Sequence, residues 1–234
     1  YSEVLKSQIF LAKGKLDSAS VYAKKAFVGL PNNALHASHY INLINQSRDR
    51  VALEEAFELL VAKNDLNNWK NYLVIASQLT PLKDKKLIER AKRASAFFPL
   101  DNDIQGLYRA IAVGTDGVNN ATNFSNTALN FFNQADYTNA AINFENAMNE
   151  NPLEFSYYEN AATSNYLIGK LDKALKQIDL VINKMNPLNG KCEYIKALIF
   201  IKMGDPIGAC PLLKTSIDSD YAQAQATFDQ YCNR

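Results

Sequence analysis

Residues 124–152, FSNTALNFFNQADYTNAAINFENAMNENP, decide the fold. The stretch carries small and large apolar residues at regular positions and a closing proline: Phe124, Ala128, Phe131, Ala140, Phe144, Ala147 and Pro152. Spacings of three and four residues predict helices with one apolar face, and the polar segment between them predicts a tight turn. We therefore expect a hairpin of two short helices.

The same hairpin pattern recurs along the chain at a fixed interval. Equivalent positions of the second helices are Ala19, Leu53, Leu87, Ala140, Ala174 and Ala209. Successive positions lie 34 or 35 residues apart, except for one step of 53 residues between Leu87 and Ala140. A helix–turn–helix period near 34 residues is typical of a stacked helical solenoid. A single hairpin cannot bury its apolar side alone, so neighbouring hairpins must stack.

The long step predicts how the chain is divided. Residues 1–99 are expected to form three helix pairs and residues 121–221 three more, with a capping helix over 222–234. Between them, residues 100–120 are expected to form an extra helix that starts at Asp101 and an irregular loop that begins at Gly114. We expect a kink of the array at this point.

These residues resemble the tetratricopeptide repeat (TPR) family. The stretch 124–152 supplies the large, small and aromatic residues that the family favours, and the terminal proline. The resemblance covers nearly the whole chain, least well at 33–98 and not at 100–118. It implies an all-α, right-handed superhelical solenoid of antiparallel helix pairs with a C-terminal capping helix. It also implies a non-catalytic scaffold that binds a protein or peptide on its concave surface.

Composition and motifs exclude several other functions. The formal net charge is +1, so no basic excess points to nucleic acid. No apolar run reaches the roughly 20 residues that span a bilayer, so no membrane insertion by this segment is expected. The sequence has neither a phosphate-binding loop nor a nucleophile elbow. His36 and His39 lack further ligands nearby, so no metal, cofactor or catalytic site is predicted, and the chain is not expected to be an enzyme.

The first helices of such repeats line the concave surface, which yields a set of candidate ligand contacts. They are Asn42, Asn45, Trp69, Tyr72, Tyr166 and Tyr194. Amides and aromatic rings suit an apolar or aromatic peptide, or sugars. The alternative is that the aromatic residues only pack the repeats together. The family's clamp for a peptide C-terminus requires Lys, Arg and Asn, and only Asn42 fits it, which argues against that ligand.

The three cysteines, Cys192, Cys210 and Cys232, lie near the end of the chain. Cys210 is early in the last second helix, and Cys232 is in the capping helix that should pack antiparallel to it. We predict that these two form a disulfide. The alternative is that both are small buried apolar residues.

A narrower resemblance concerns the C-terminal third. Its segments NPLNGKCEY (186–194), GDPIGACPLL (204–213) and DQYC (229–232) are similar to repeat tails of bacterial O-antigen ligase or polymerase-type membrane proteins. This resemblance implies an accessory, extracytoplasmic domain tethered to a membrane protein that carries the chemistry elsewhere. The helical pattern already present at Tyr1 favours a fragment of a longer protein. A periplasmic or extracytoplasmic location is therefore favoured over a cytoplasmic one.

Overall fold

The computed structural model describes residues 2–62, 65–185, 187 and 189–232. These residues form fourteen α-helices and no strand. The predicted all-α fold of helix pairs is confirmed. The helices gather into two compact units, Tyr1–Gly114 and Thr115–Arg234, which are called unit 1 and unit 2 below.

Unit 1 consists of three helix pairs and one closing helix. The pairs are α1 (Ser2–Ala12) with α2 (Leu16–Gly29), α3 (Ala34–Ser47) with α4 (Arg50–Val61), and α5 (Leu66–Leu79) with α6 (Lys85–Phe97). The closing helix α7 (Asn102–Val113) packs on α6. A continuous apolar core runs from Ala19 in α2 to Ile111 in α7.

Unit 2 repeats this plan. Its pairs are α8 (Thr115–Asn133) with α9 (Tyr137–Glu150), α10 (Phe155–Leu167) with α11 (Leu171–Lys184), and α12 (Lys191–Lys202) with α13 (Pro206–Asp218). The closing helix α14 (Gln223–Cys232) packs on α13. The core of unit 2 consists of separate small clusters at the junctions between neighbouring helices.

Short polar side chains determine where many of the helices begin. Each of these residues accepts a hydrogen bond from a backbone N–H in the first turn of the helix that follows it: Asn33, Asp49, Asp65, Asp84, Asp101, Asp136 and Asp205. A cap of this kind contributes about 1 kcal/mol to helix stability. The predicted start of α7 at Asp101 is confirmed.

The residues of the 34-residue period are all buried at helix junctions. Ala19, Ala140, Ala174 and Ala209 have no exposed surface. A methyl side chain allows the partner helix to come close. In the first pair, the Ser7 hydroxyl reaches the Ala19 carbonyl oxygen and donates to it at 2.7 Å.

The prediction of an irregular loop after α7 is wrong. α7 ends at Val113, Gly114 follows with a φ of 89°, and α8 begins at Thr115. Gly117 lies inside α8. The early turns of α8 are stabilised by packing, because Ala121 is fully buried against Ala147 and Tyr157. A single glycine with a positive φ is thus sufficient for the connection.

Burial of Phe144 in α9 provides a test of the hairpin core. Phe144→Ala should lower the free energy of unfolding of unit 2 by about 3–5 kcal/mol, because it removes a fully buried ring and leaves a cavity. Ile142→Ala on the same helix is the control. Since Ile142 is 50% exposed, its replacement should cost less than about 1 kcal/mol. Urea denaturation measures both values, and equal losses would contradict the assigned packing.

Candidate functional site

Two predicted contact residues in unit 1, Trp69 and Tyr72, lie in the core. Neither has any exposed surface. Trp69 meets Phe57 edge-on at 5.7 Å between ring centroids, and Tyr72 packs on the same ring at 4.7 Å. Phe57 of α4 stands at the repeat position that Ala23 holds in the first pair. Both aromatic side chains pack against its larger ring in the core. The expectation that they contact a ligand is therefore abandoned.

Arg90 explains how the Tyr72 hydroxyl is accommodated in the core. The guanidinium carbon lies 3.8 Å from the Phe57 ring centroid, and the group donates hydrogen bonds to the Tyr72 hydroxyl and, at 2.6 Å, to Glu54. Burial raises the pKa of Tyr72 to about 12. These contacts join α4, α5 and α6, so the aromatic cluster around Phe57 holds unit 1 together.

The two predicted asparagines of unit 1 lie on α3. Asn42 is exposed and Asn45 is half-buried. Within the part of the chain that the structure describes, neither side-chain amide forms a hydrogen bond. Both amides are therefore available to a polar ligand.

Three tyrosines of unit 2 form what we call the tyrosine surface: Tyr166 on α10, Tyr194 on α12 and Tyr231 on α14. All three are partly exposed. Burial raises the pKa of the Tyr166 phenol, and the nearby phenols of Tyr194 and Tyr231 raise it further. Tyr194 also packs against Tyr221 at 5.3 Å between ring centroids. Two of the predicted residues are thus brought together with a third that sequence analysis missed.

Lys202 adds a positive charge to the tyrosine surface. Its ammonium lies 4.5 Å from the centroid of the Tyr166 ring and donates to the Tyr166 carbonyl oxygen at 2.8 Å. The side chain is exposed. An ammonium has three donors, so Lys202 retains donors for a ligand beside the tyrosines.

A disulfide holds the helix that carries Tyr231. Cys210 of α13 and Cys232 of α14 are bonded at 2.06 Å, with their Cα atoms 5.7 Å apart. The structure therefore has the predicted bridge. Because Tyr231 precedes Cys232 directly in the sequence, the bridge fixes the end of α14 at the tyrosine surface. The predicted pairing of these cysteines is the sequence signal that points to Tyr231.

The third cysteine belongs to a buried polar cluster in unit 2. Cys192 donates to Glu159 at 3.2 Å, and Lys191 forms an ion pair with the same carboxylate at 3.1 Å. Glu159 is only 2% exposed. Burial raises the pKa of the Cys192 thiol, and the neighbouring carboxylate raises it further. The thiol therefore stays protonated and serves as a hydrogen-bond donor between α10 and α12.

The two histidines make structural contacts in unit 1. His36 Nδ1 lies 3.0 Å from the Ala26 carbonyl oxygen, and His39 Nε2 lies 2.8 Å from the Ser7 hydroxyl. Across the described residues, no group of three or more His, Cys, Asp or Glu side chains is arranged to hold a metal. In the same residues, no helix has both the length and the apolar character that crossing a membrane requires.

Antiparallel helix pairs in a repeating array define an all-α helical-repeat protein. Solved structures with this architecture resemble the chain. The TPR2AB domain of yeast Sti1, in a complex with pHSP90, is 16% identical at a TM-score of 0.46 and covers 98% of this chain and 96% of its own. A tetratricopeptide repeat protein from Parabacteroides merdae is 16% identical at a TM-score of 0.41. The match covers 97% of this chain and 96% of that protein.

A third structure, the TPR domain of P58(IPK), is 17% identical at a TM-score of 0.45, over 98% of this chain and 62% of that one. No family model matches the chain, and no curated protein matches it. At these sequence identities and TM-scores, no ligand or binding site of the solved structures is assigned to this chain. The resemblance to O-antigen ligase tails finds no support in these comparisons.

Reduction of the disulfide tests what holds α14. A bridge over a sequence separation of 22 residues should stabilise the chain by roughly 3 kcal/mol, mainly by restricting the unfolded state. A reductant should therefore lower the urea midpoint of the wild-type chain. The double variant Cys210→Ala/Cys232→Ala, measured with and without reductant, is the control and should not respond. Three free thiols in the denatured, unreduced protein would contradict the bridge.

Proposed function

We propose that the chain is a non-catalytic scaffold that binds a protein or peptide, and that the tyrosine surface of unit 2 contacts the ligand. The supporting observation is the convergence of three partly exposed phenols from α10, α12 and α14. Tyrosine provides a large, rigid contact area and a hydroxyl group at a low entropic cost, which is why it is frequent at binding hot spots.

The chemistry of this surface favours an extended peptide with acceptor groups. Phenol hydroxyls and the Lys202 ammonium donate to backbone carbonyls or carboxylates, and the tyrosine rings accept apolar side chains. Partly exposed Leu198 and Ile201 on α12 extend the apolar area. In unit 1, the unpaired amides of Asn42 and Asn45 are a second candidate contact for a peptide backbone.

The disulfide supports a location for the protein. Disulfides persist in oxidising compartments and are rare in the cytosol. The bridge between Cys210 and Cys232 therefore favours a periplasmic or extracellular location. We propose this location for the chain.

Selection of peptides on the immobilised full chain, followed by affinity measurement, tests the proposed site. Tyr166→Ala and Tyr194→Ala should each weaken the best peptide at least about tenfold, since truncation of a hot-spot residue costs about 2 kcal/mol or more. Tyr166→Phe should retain the part of the affinity that comes from ring packing.

Tyr137→Ala is the matched control. This tyrosine lies on the second helix α9, which contributes no residue to the tyrosine surface, and its ring centroid lies 5.1 Å from that of Phe132. It should leave the affinity unchanged. Failure to select any peptide, or equal losses for Tyr137→Ala and Tyr166→Ala, would overturn the proposal.

A further inference from the structure

Unit 1 contains a cleft between α2 and α4, with α3 as its floor. It has a volume of about 300 Å³, within the range of small ligand sites. It is bounded by two second helices, so it is distinct from the first-helix side on which ligand contacts were predicted. It also belongs to a different unit from the tyrosine surface, and nothing about it depends on that surface.

The cleft carries an excess of negative charge. Asp17, Asp49 and Glu55 line it, against a single cation, Lys24. Lys24 pairs with Glu55 at 2.5 Å. Asp49 uses one oxygen to cap α4. Asp17 and Asp49 form no ion pair among the described residues. Lys24 lies near Glu55 and Asp49, since its hydrogen bond with Glu55 and the charge of Asp49 raise its pKa. One cation therefore faces three carboxylates, and a cationic ligand would balance the excess.

Two polar atoms in the cleft lack partners. Tyr40 is only 2% exposed and lines the cleft, and its hydroxyl forms no hydrogen bond with another described residue. The buried Ser20 hydroxyl likewise has none. Burial raises the pKa of Tyr40, Lys24 lowers it, and Glu55 and Asp49 raise it, so all three charged groups lie near this hydroxyl. The buried Ser20 hydroxyl without a partner costs about 1–3 kcal/mol, and a ligand that hydrogen-bonds to it removes this cost.

The remaining walls of the cleft are apolar. Ile44 forms part of the floor. Val21 and Val51 flank the opening with 52% and 68% of their surfaces exposed. Aliphatic walls around an acidic, hydroxyl-bearing site match a side chain with an apolar stem and a cationic end.

We propose that this cleft binds the side chain of an arginine, presented by a peptide or as the free amino acid. A guanidinium has five N–H donors and no acceptor. It can donate to the Tyr40 and Ser20 hydroxyls and form charge-assisted hydrogen bonds with the carboxylates. The three methylene groups of the arginine stem contact Val21 and Val51.

NMR titration of the full chain tests the cleft. N-acetyl-arginine methylamide should shift the amide signals of residues on α2, α3 and α4, and N-acetyl-citrulline methylamide, which is similar in shape but uncharged, should bind at least about tenfold more weakly. Free arginine and the peptide Gly-Arg-Gly distinguish the two sources, because the tighter ligand identifies the natural one. Equal binding of the arginine and citrulline probes, or no shifts on α2–α4 with any arginine probe, would overturn the proposal.

Conservative variants locate the binding. Asp17→Asn/Asp49→Asn removes two charges, and asparagine at 49 keeps the helix cap. Tyr40→Phe removes only the hydroxyl. The first variant should weaken the arginine probe at least tenfold and the second several-fold. Asp65→Asn, which alters an equivalent cap on α5 outside the cleft, should have no effect. An equal loss with Asp65→Asn, or unchanged affinity in both cleft variants, would contradict the assignment.

Discussion

The structure depends on a small side chain near the start of four of its six second helices. Ala19, Ala140, Ala174 and Ala209 have no exposed surface. A methyl group allows the two helices of a pair to approach closely. Larger apolar side chains from neighbouring helices pack around this contact. Repetition of this contact every 34 residues stacks the pairs, which no single hairpin could do for itself. In the second and third helix pairs of unit 1, Leu53 and Leu87 take the place of the alanine, and the core of this unit is continuous.

The stacking leaves an open end that each unit closes with one additional helix. In unit 1, Ile104 and Ile111 of α7 are fully buried, and Lys70 pairs with Asp101 at 2.8 Å. In unit 2, the shorter α14 buries Ala224 and is tied to α13 by the disulfide. The covalent bond compensates for the small apolar area of a ten-residue helix. The same bond holds Tyr231 in place, because α14 provides part of the tyrosine surface that we propose binds the ligand.

Sequence reasoning predicts the architecture well because packing residues repeat. The period, the cap at Asp101 and the pairing of Cys210 with Cys232 all depend on local chemistry or on antiparallel neighbours. Individual side-chain directions in the irregular pairs are harder to predict. The repeat pattern predicts that Trp69 and Tyr72 lie on a binding surface. In the structure both rings pack against Phe57 in the core of unit 1. The cleft between α2 and α4 was missed because its residues come from three helices and match no motif.

The proposed ligand contacts of unit 2 lie on α10, α12 and α14. Hydrogen–deuterium exchange of the full chain, with and without the tightest selected peptide, measures them directly. The peptide should slow amide exchange in α10, α12 and α14, and reduction of the disulfide should weaken this protection most in α14. Protection confined to α9, α11 and α13, or to unit 1, would contradict this proposal.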